Sequence, residues 1–267
     1  MQTIFLTKKE FIYDKDTETT SVFVSGTVKR DFRQKYKKTT LGFIWSILNP
    51  LAEFLVLMLI FKNLFSRNTP HYTIYMLVGI LTYSYYSNAS QTGMQSFLGN
   101  AGIIQKIKVP TWIFPLSKNV SALFNFFITL ILLIPFMIYD HMGFTWKLVF
   151  LIYPIILMFF FNLGVSMILA SLYVFFKDIQ YFYNIFCRLL YFCCAVFWYD
   201  TSMSETAQKI LHINPIYDFI YYSRMVIIHQ QIPTLFDHLV LLGYTILFLG
   251  LGILIYRCNK DKFVYYL

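Results

Sequence analysis

The sequence predicts an all-α integral membrane protein. It has six transmembrane helices, an N-terminal amphipathic interfacial helix and short outer re-entrant helices before the last span. Three observations carry this fold class. Of 267 residues, 58% are hydrophobic and only 13% charged, whereas soluble globular domains carry about 25% charged residues. Several apolar runs are long enough to cross a bilayer, which takes about 20 helical residues each. No stretch alternates strictly over about 10 residues, as a transmembrane β-strand does.

The first element is a cytoplasmic segment, residues 1–40. It opens on polar sequence, MQTIFLTKKEFIYDKD, with no short apolar core before a small-residue cleavage site, so it does not read as a secretory signal. Val24, Val28, Phe32 and Tyr36 recur at every fourth residue, the spacing of one helical face. Lys29, Arg30, Arg33 and Lys37 fall largely on the other side. That arrangement suits a helix lying in the interface, rings in the acyl boundary and cations on anionic headgroups. The bland alternative is a topology signal, which needs charge but not periodicity. Thr39, Thr40 and Gly42 then turn the chain into the membrane, with Trp45 at the inner edge, where an indole is well placed.

The transmembrane domain covers 41–257, with spans at about 41–65, 73–92, 119–139, 148–174, 182–199 and 237–257, followed by a cytoplasmic tail, 258–267. Span one contains Asn49, Pro50 and Glu53. Proline removes a backbone donor and kinks a helix. A carboxylate near mid-span is costly in hydrocarbon and should face protein, water or a cation; otherwise it snorkels or stays protonated. Arg188 in span five is a similar oddity and a candidate partner.

Sixteen Lys and Arg fall in the N-terminal segment, the 93–118 loop, the turn FFKDIQY and the tail, against five in the other loops. The positive-inside rule therefore places both termini in the cytoplasm. The same rule accounts for the net charge of +9 without a nucleic-acid partner. Residues 93–118 are too long and basic for a passive turn. Residues 200–236 are the longest outer segment, yet INPIYDFIYYSRMVII is largely apolar. It should dip into the membrane boundary as short helices starting near Asn214–Pro215, where proline suits a helix start.

Catalytic signatures are missing. There is no phosphate-binding loop of the form G-x-x-x-x-G-K-[ST], so the chain does not hydrolyse ATP alone, and no H-E-x-x-H or G-x-S-x-G. The five histidines scatter without metal-ligand spacing, and the four cysteines read as small buried hydrophobes. Aromatics are abundant, with 29 Phe, 21 Tyr and 4 Trp. Belts and packing are their default role. A ring with a nearby hydroxyl also suits the mixed surface of a sugar. Glu53, Tyr83, Tyr86, Arg188, Tyr217 and Tyr221 are the candidates to line a path.

Four stretches, in register with the six spans, carry a family resemblance. They are RDFRQKYKKTTLGFIWSILNPL (30–51, with L-G-x-x-W-x-x-x-x-P), NAGIIQKIKVPTWIFPLSKNVS (100–121), FKDIQYFYNIFCRLLYFCCAVFW (176–198) and INPIYDFIYYSRMVII (213–228). The sequence resembles the permease subunits of bacterial ABC exporters of polysaccharides and polyol phosphates, the group that moves O-antigen, capsule and wall teichoic acid. Lys177 stands where the family has arginine before the aspartate. The N-P-x-Y pattern and the K-D-K-F tail look closest to the teichoic acid members.

The resemblance implies a bacterial cytoplasmic-membrane protein that pairs with a second copy of itself and with two copies of an ATP-binding subunit. ATP and magnesium would be held by that partner and no cofactor by this chain. The interfacial helix and the loop after span two would meet the ATPase. Ile103, Ile104 and Ile107 would supply an apolar knob, with Lys106 and Lys108 beside it. Arg30, Arg33, Lys35 and Lys37 would face lipid headgroups or the pyrophosphate of a lipid-linked polymer. Two other classes compete. An intramembrane enzyme acting on lipid-linked sugars needs a carboxylate or histidine cluster at one membrane face, which the sequence does not show. A proton-driven secondary carrier working through Glu53 needs matched interrupted helices in both halves, and only span one shows one.

Overall fold

In a computed structural model, the residues described are 25–28, 30, 44–65, 71–106, 109–199, 204–260 and 262–266. Among them all regular structure is helical. Residues 25–28 and 30 are helical; the rest of the expected interfacial helix lies outside the described residues.

The helices of the apolar stretches are α1 (Trp45–Phe65), α2 (Tyr72–Met94), α4 (Ile113–Leu130) continued by α5 (Leu133–Tyr139), α6 (Ile152–Phe175), α7 (Ile179–Phe192) and α10 (Leu235–Asn259). Between them lie α3 (Ala101–Ile104), α8 (Glu205–Leu211) and α9 (Pro215–Ile227), and α11 (Phe263–Tyr266) follows α10. Three stretches are long and apolar enough to cross a membrane: Ile113–Tyr139, Trp146–Phe175 and Leu235–Asn259.

The core is built around α2, which packs against α1, α4, α5, α6, α7 and α9. This explains its composition. A helix sheathed in protein can carry Thr73, Thr82 and Ser90, all buried, where one facing lipid could not at low cost. Asn119 of α4 donates from Nδ2 to Ser166 Oγ of α6 at 2.9 Å, and Ser166 Oγ donates to the Ala89 carbonyl of α2 at 3.3 Å. Such interhelical hydrogen bonds tie three helices together where apolar burial alone gives little preference.

The tightest crossing is α6 on α10. A Cβ on Gly164 would lie 2.5 Å from the Phe248 carbonyl, and one on Gly252 would lie 2.5 Å from the Gly164 carbonyl oxygen. Only glycine at both positions lets these backbones touch.

Span three starts at Ile113 instead of near 119 and is broken between α4 and α5. Pro135 explains the break. Its ring crowds the carbonyl four residues back and it has no N–H to give. The N–H groups of Ile131 and Leu132 bond only three residues back, to Ile128 and Thr129 at 3.2 and 3.0 Å, the tighter 3₁₀ pattern. Span four opens with a 3₁₀ stretch, Trp146–Leu151, before α6.

Helix directions alternate. The start of α2 meets the end of α5, where His71 Nδ1 lies 2.9 Å from Asp140 Oδ2. The starts of α6 and α10 meet where Tyr153 donates to the His238 carbonyl at 2.8 Å. At the opposite end Phe263 packs on Phe97 and Phe175, with ring centroids 5.0 and 6.1 Å away. There Thr111 donates to the Tyr256 hydroxyl at 3.0 Å. The helices therefore bring Lys106, Lys177, Arg257, Lys260 and Lys262 to one end of the bundle, and Asp140, Glu205, Asp218 and Asp237 to the other.

Span five differs most from its expectation. A continuous helix over 182–199 does not form. α7 stops at Phe192 after 14 residues, about 21 Å at 1.5 Å per residue, short of the roughly 30 Å hydrocarbon core. Residues 193–198 are irregular, with Ala195 in the left-handed region at φ 48°.

Candidate functional site

At the cationic end, a small core holds the loop after α2. Phe97, Ile104, Phe114, Ala170, Val174 and Phe263 form one buried cluster. The expected apolar knob is therefore only partly available to a partner. Ile104 is 6% exposed and turned inward, while Ile103 is half-buried against the same cluster. Lys106 is exposed. Ile107 and Lys108 lie outside the described residues, as do Arg33, Lys35 and Lys37. Arg30 is half-buried, and its Nη2 donates to Asn100 Oδ1 at 2.7 Å. Asn100 in turn donates to the Ser96 carbonyl at 2.8 Å. The N-terminal helical segment and the loop are thus joined by a charge-assisted hydrogen bond. Phe263, fully buried, brings the C-terminal tail to the same place.

At mid-depth the candidates divide. Tyr83 and Tyr86 are buried in the core and their hydroxyls are used within the chain. Tyr83 donates to the Cys187 carbonyl, and Tyr86 accepts from the Tyr183 hydroxyl at 3.0 Å. They fasten α2 to α7. Glu53 and Arg188 are exposed on α1 and α7. Glu53 approaches the Tyr191 hydroxyl, one helical turn beyond Arg188.

At the acidic end, α9 begins where the sequence suggested. Asn214 accepts from the Ile216 N–H at 3.1 Å and Pro215 takes the first helical position, the pairing that starts helices well. Tyr217 is buried and Tyr221 half-buried. Asp218 Oδ1 lies 2.5 Å from His212 Nδ1. Burial pushes the Asp218 carboxyl up to about 6, against the opposing pull of His212.

The residue that sequence reasoning missed is Arg224. It is 2% exposed and closes the broken end of α7. Its Nη2 donates to the Ala195 and Val196 carbonyls at 2.8 and 3.3 Å, and Nε and Nη2 reach the Tyr75 carbonyl at 3.2 and 3.1 Å. Its guanidinium carbon sits 3.4 Å from the Tyr75 ring centroid. Tyr72 donates to the Phe197 carbonyl at 2.5 Å and Tyr75 to that of Trp198 at 3.2 Å. Four successive carbonyls freed by the helix break are therefore met by side chains of α2 and α9. Irregular backbone at membrane depth requires such partners. The available signal was the arginine itself, set within the apolar INPIYDFIYYSRMVII. Counting it as a loop charge hid the inference that an arginine among apolar residues needs buried acceptors.

The similarity to known proteins covers most of the chain. The chain is 26% identical over 241 residues to the O-antigen export system permease protein RfbA of Klebsiella pneumoniae, covering 88% of this chain and 90% of that protein. It is 25% identical over 239 residues to RfbA of Myxococcus xanthus, covering 88% and 92%. The polysialic acid transport protein KpsM of Escherichia coli is 22% identical over 248 residues, covering 91% and 96%. Residues 24–228, from the N-terminal helical segment to the end of the Arg224 helix, match the ABC-2 type transporter family. The chain therefore belongs to the ABC-2 type transporter family, as a membrane-embedded transport subunit.

Proposed function

We propose that this chain is the transmembrane subunit of an ATP-driven exporter that moves a lipid-linked polysaccharide across the bacterial cytoplasmic membrane. One observation carries the reading. Its similarity to O-antigen and polysialic acid transport proteins extends over about nine tenths of both chains. A teichoic-acid-type polyol phosphate polymer is the chemically adjacent cargo. In this reading α1, α2 and α7, the last completed by the irregular residues 193–198, cross the membrane with the three longer apolar stretches, making six spans with both termini cytoplasmic. The collection of lysines and arginines at one end of the bundle supports that orientation.

Two copies form the pathway, and a separate ATP-binding subunit, also in two copies, holds ATP and magnesium. The exposed Glu53 on α1 supports pairing, since a carboxylate on a lipid-facing surface is costly and a second copy would cover it. Lys106, with Ile107 and Lys108, meets the ATPase. The hydrogen bond from Arg30 to Asn100 makes the N-terminal helical segment and the loop move as one. Arg33, Lys35 and Lys37 bind headgroups or the carrier pyrophosphate. Arg188, Tyr217 and Tyr221 are the remaining candidates near the path.

The test is reconstitution. The chain alone in lipid should hydrolyse no ATP. With its ATPase it should hydrolyse ATP and pass polymer into inverted vesicles, and Lys106→Glu with Ile107→Glu should abolish the coupled activity. Polymer transfer that persists without the ATPase, or after ATP is exhausted, overturns the proposal.

A further inference from the structure

A recess lies at the acidic end, between α8, α9 and the first turns of α10. Its volume is about 410 Å³, within the roughly 300–1,000 Å³ range of small-molecule sites. Asp218 forms part of its wall. This side chain is only 8% exposed. Its Oδ1 is taken by His212, but its Oδ2 is buried with no hydrogen-bond partner. A buried carboxylate oxygen left in that state costs about 1–3 kcal/mol or more, so a donor entering the recess would be favoured. Tyr221, Phe236 and Tyr244 make the aromatic part of the wall, beside Val240 and Leu241. Tyr244 is held by donating to the His212 carbonyl at 3.0 Å. Lys209 adds one further donor.

We propose that this recess binds one sugar residue of a saccharide chain, its ring face against the aromatic wall and a hydroxyl donating to Asp218 Oδ2. A metal cation fits the wall less well. Calcium asks for about six to eight oxygen ligands, and Lys209 repels it. The second carboxylate in the wall, Asp237, has its Oδ2 engaged, accepting from Thr234 N and Oγ1 at 2.8 and 2.7 Å, so it adds at most Oδ1. A pyranose needs what the recess supplies: carboxylate acceptors, a donor and flat apolar surface. The purpose of such a site rests on the polymer-export reading, but its binding needs neither ATP nor transport.

The experiment is saturation-transfer NMR on the full chain in lipid nanodiscs. The probes are methyl hexopyranosides and N-acetylhexosaminides, each with and without added calcium. Transfer to ring protons is expected for at least one sugar. Asp218→Asn should weaken it about tenfold, since the amide that replaces Oδ2 cannot accept. Phe236 is 73% exposed, so Phe236→Ala should fold normally and also weaken binding. No transfer to any probe, transfer unchanged in Phe236→Ala, or calcium binding that displaces sugar through Asp218 overturns the proposal. Coupled polymer transfer in a chain that binds no sugar here would sink the recess and leave export standing. Sugar binding in a chain that moves no polymer would do the reverse.

Discussion

Arg224 is the residue on which the most separate elements depend. It joins α9 to the start of α2 and to the broken end of α7 through one guanidinium. Leaving a buried acceptor without its donor costs about 1–3 kcal/mol, and here three carbonyls lose theirs. Arg224→Met should therefore lower the apparent Tm in detergent by several degrees or prevent accumulation of the protein. Arg224→Lys should rescue little, because an ammonium cannot reach three carbonyls with the spread of a guanidinium. A lysine variant as stable as the parent would show that charge alone matters and that the fork geometry does not. At this scale the sequence was only partly legible. The oddity of Glu53 and the start at Asn214–Pro215 could be read directly. The partners of Tyr83, Tyr86 and Arg224 could not, since they lie 28 to 149 residues away in the chain, and no local pattern records them.

Helices were legible where apolar length decides them and misjudged where other elements decide them. α6 and α10 follow from hydropathy alone. α7 does not, because 182–199 is apolar enough to continue while its last carbonyls are claimed by α2 and α9. α4 begins early because hydropathy blurs the boundary that Pro110 and Thr111 set, with Thr111 held to Tyr256 of α10. Glycine gives a sharper test at this scale. Gly250 and Gly252 sit on the same helix two residues apart, yet a Cβ at Gly250 would meet nothing within 4 Å and one at Gly252 would strike Gly164. Gly250→Ala should be neutral or stabilise by up to about 1 kcal/mol through helix propensity. Gly252→Ala should destabilise by about 1–3 kcal/mol as the crossing is forced apart. Thermal unfolding of the two variants in one detergent decides it, and equal midpoints would mean that α6 and α10 do not touch at these glycines.

Among the described residues Lys106, Lys177, Arg257, Lys260 and Lys262 lie at the end that holds α3 and the tail, and Asp140, Glu205, Asp218 and Asp237 lie at the end that holds the broken helix and the recess, with Lys147 and Lys209 among them. That polarity was readable from loop charges, because the positive-inside rule acts on counts and not on contacts. How two copies would meet was not readable, since periodicity marks an apolar face without saying whether lipid or protein covers it. The folded chain supplies a discriminating feature. On α1 the exposed face carries Asn49 and Glu53 among Leu48, Val56 and Leu59, whereas the exposed Ile246, Leu251 and Leu254 along the middle of α10 are aliphatic. Polar groups on a membrane surface favour a protein neighbour and aliphatic ones are content with lipid. With Cys187, Cys193, Cys194 and Cys258 replaced, Val56→Cys should form an intermolecular disulfide in native membranes under mild oxidation, and Leu254→Cys should not. Cross-linking through Leu254 with none through Val56 would move the shared surface to the opposite side of the bundle and expose Glu53 to lipid, a placement its charge makes costly.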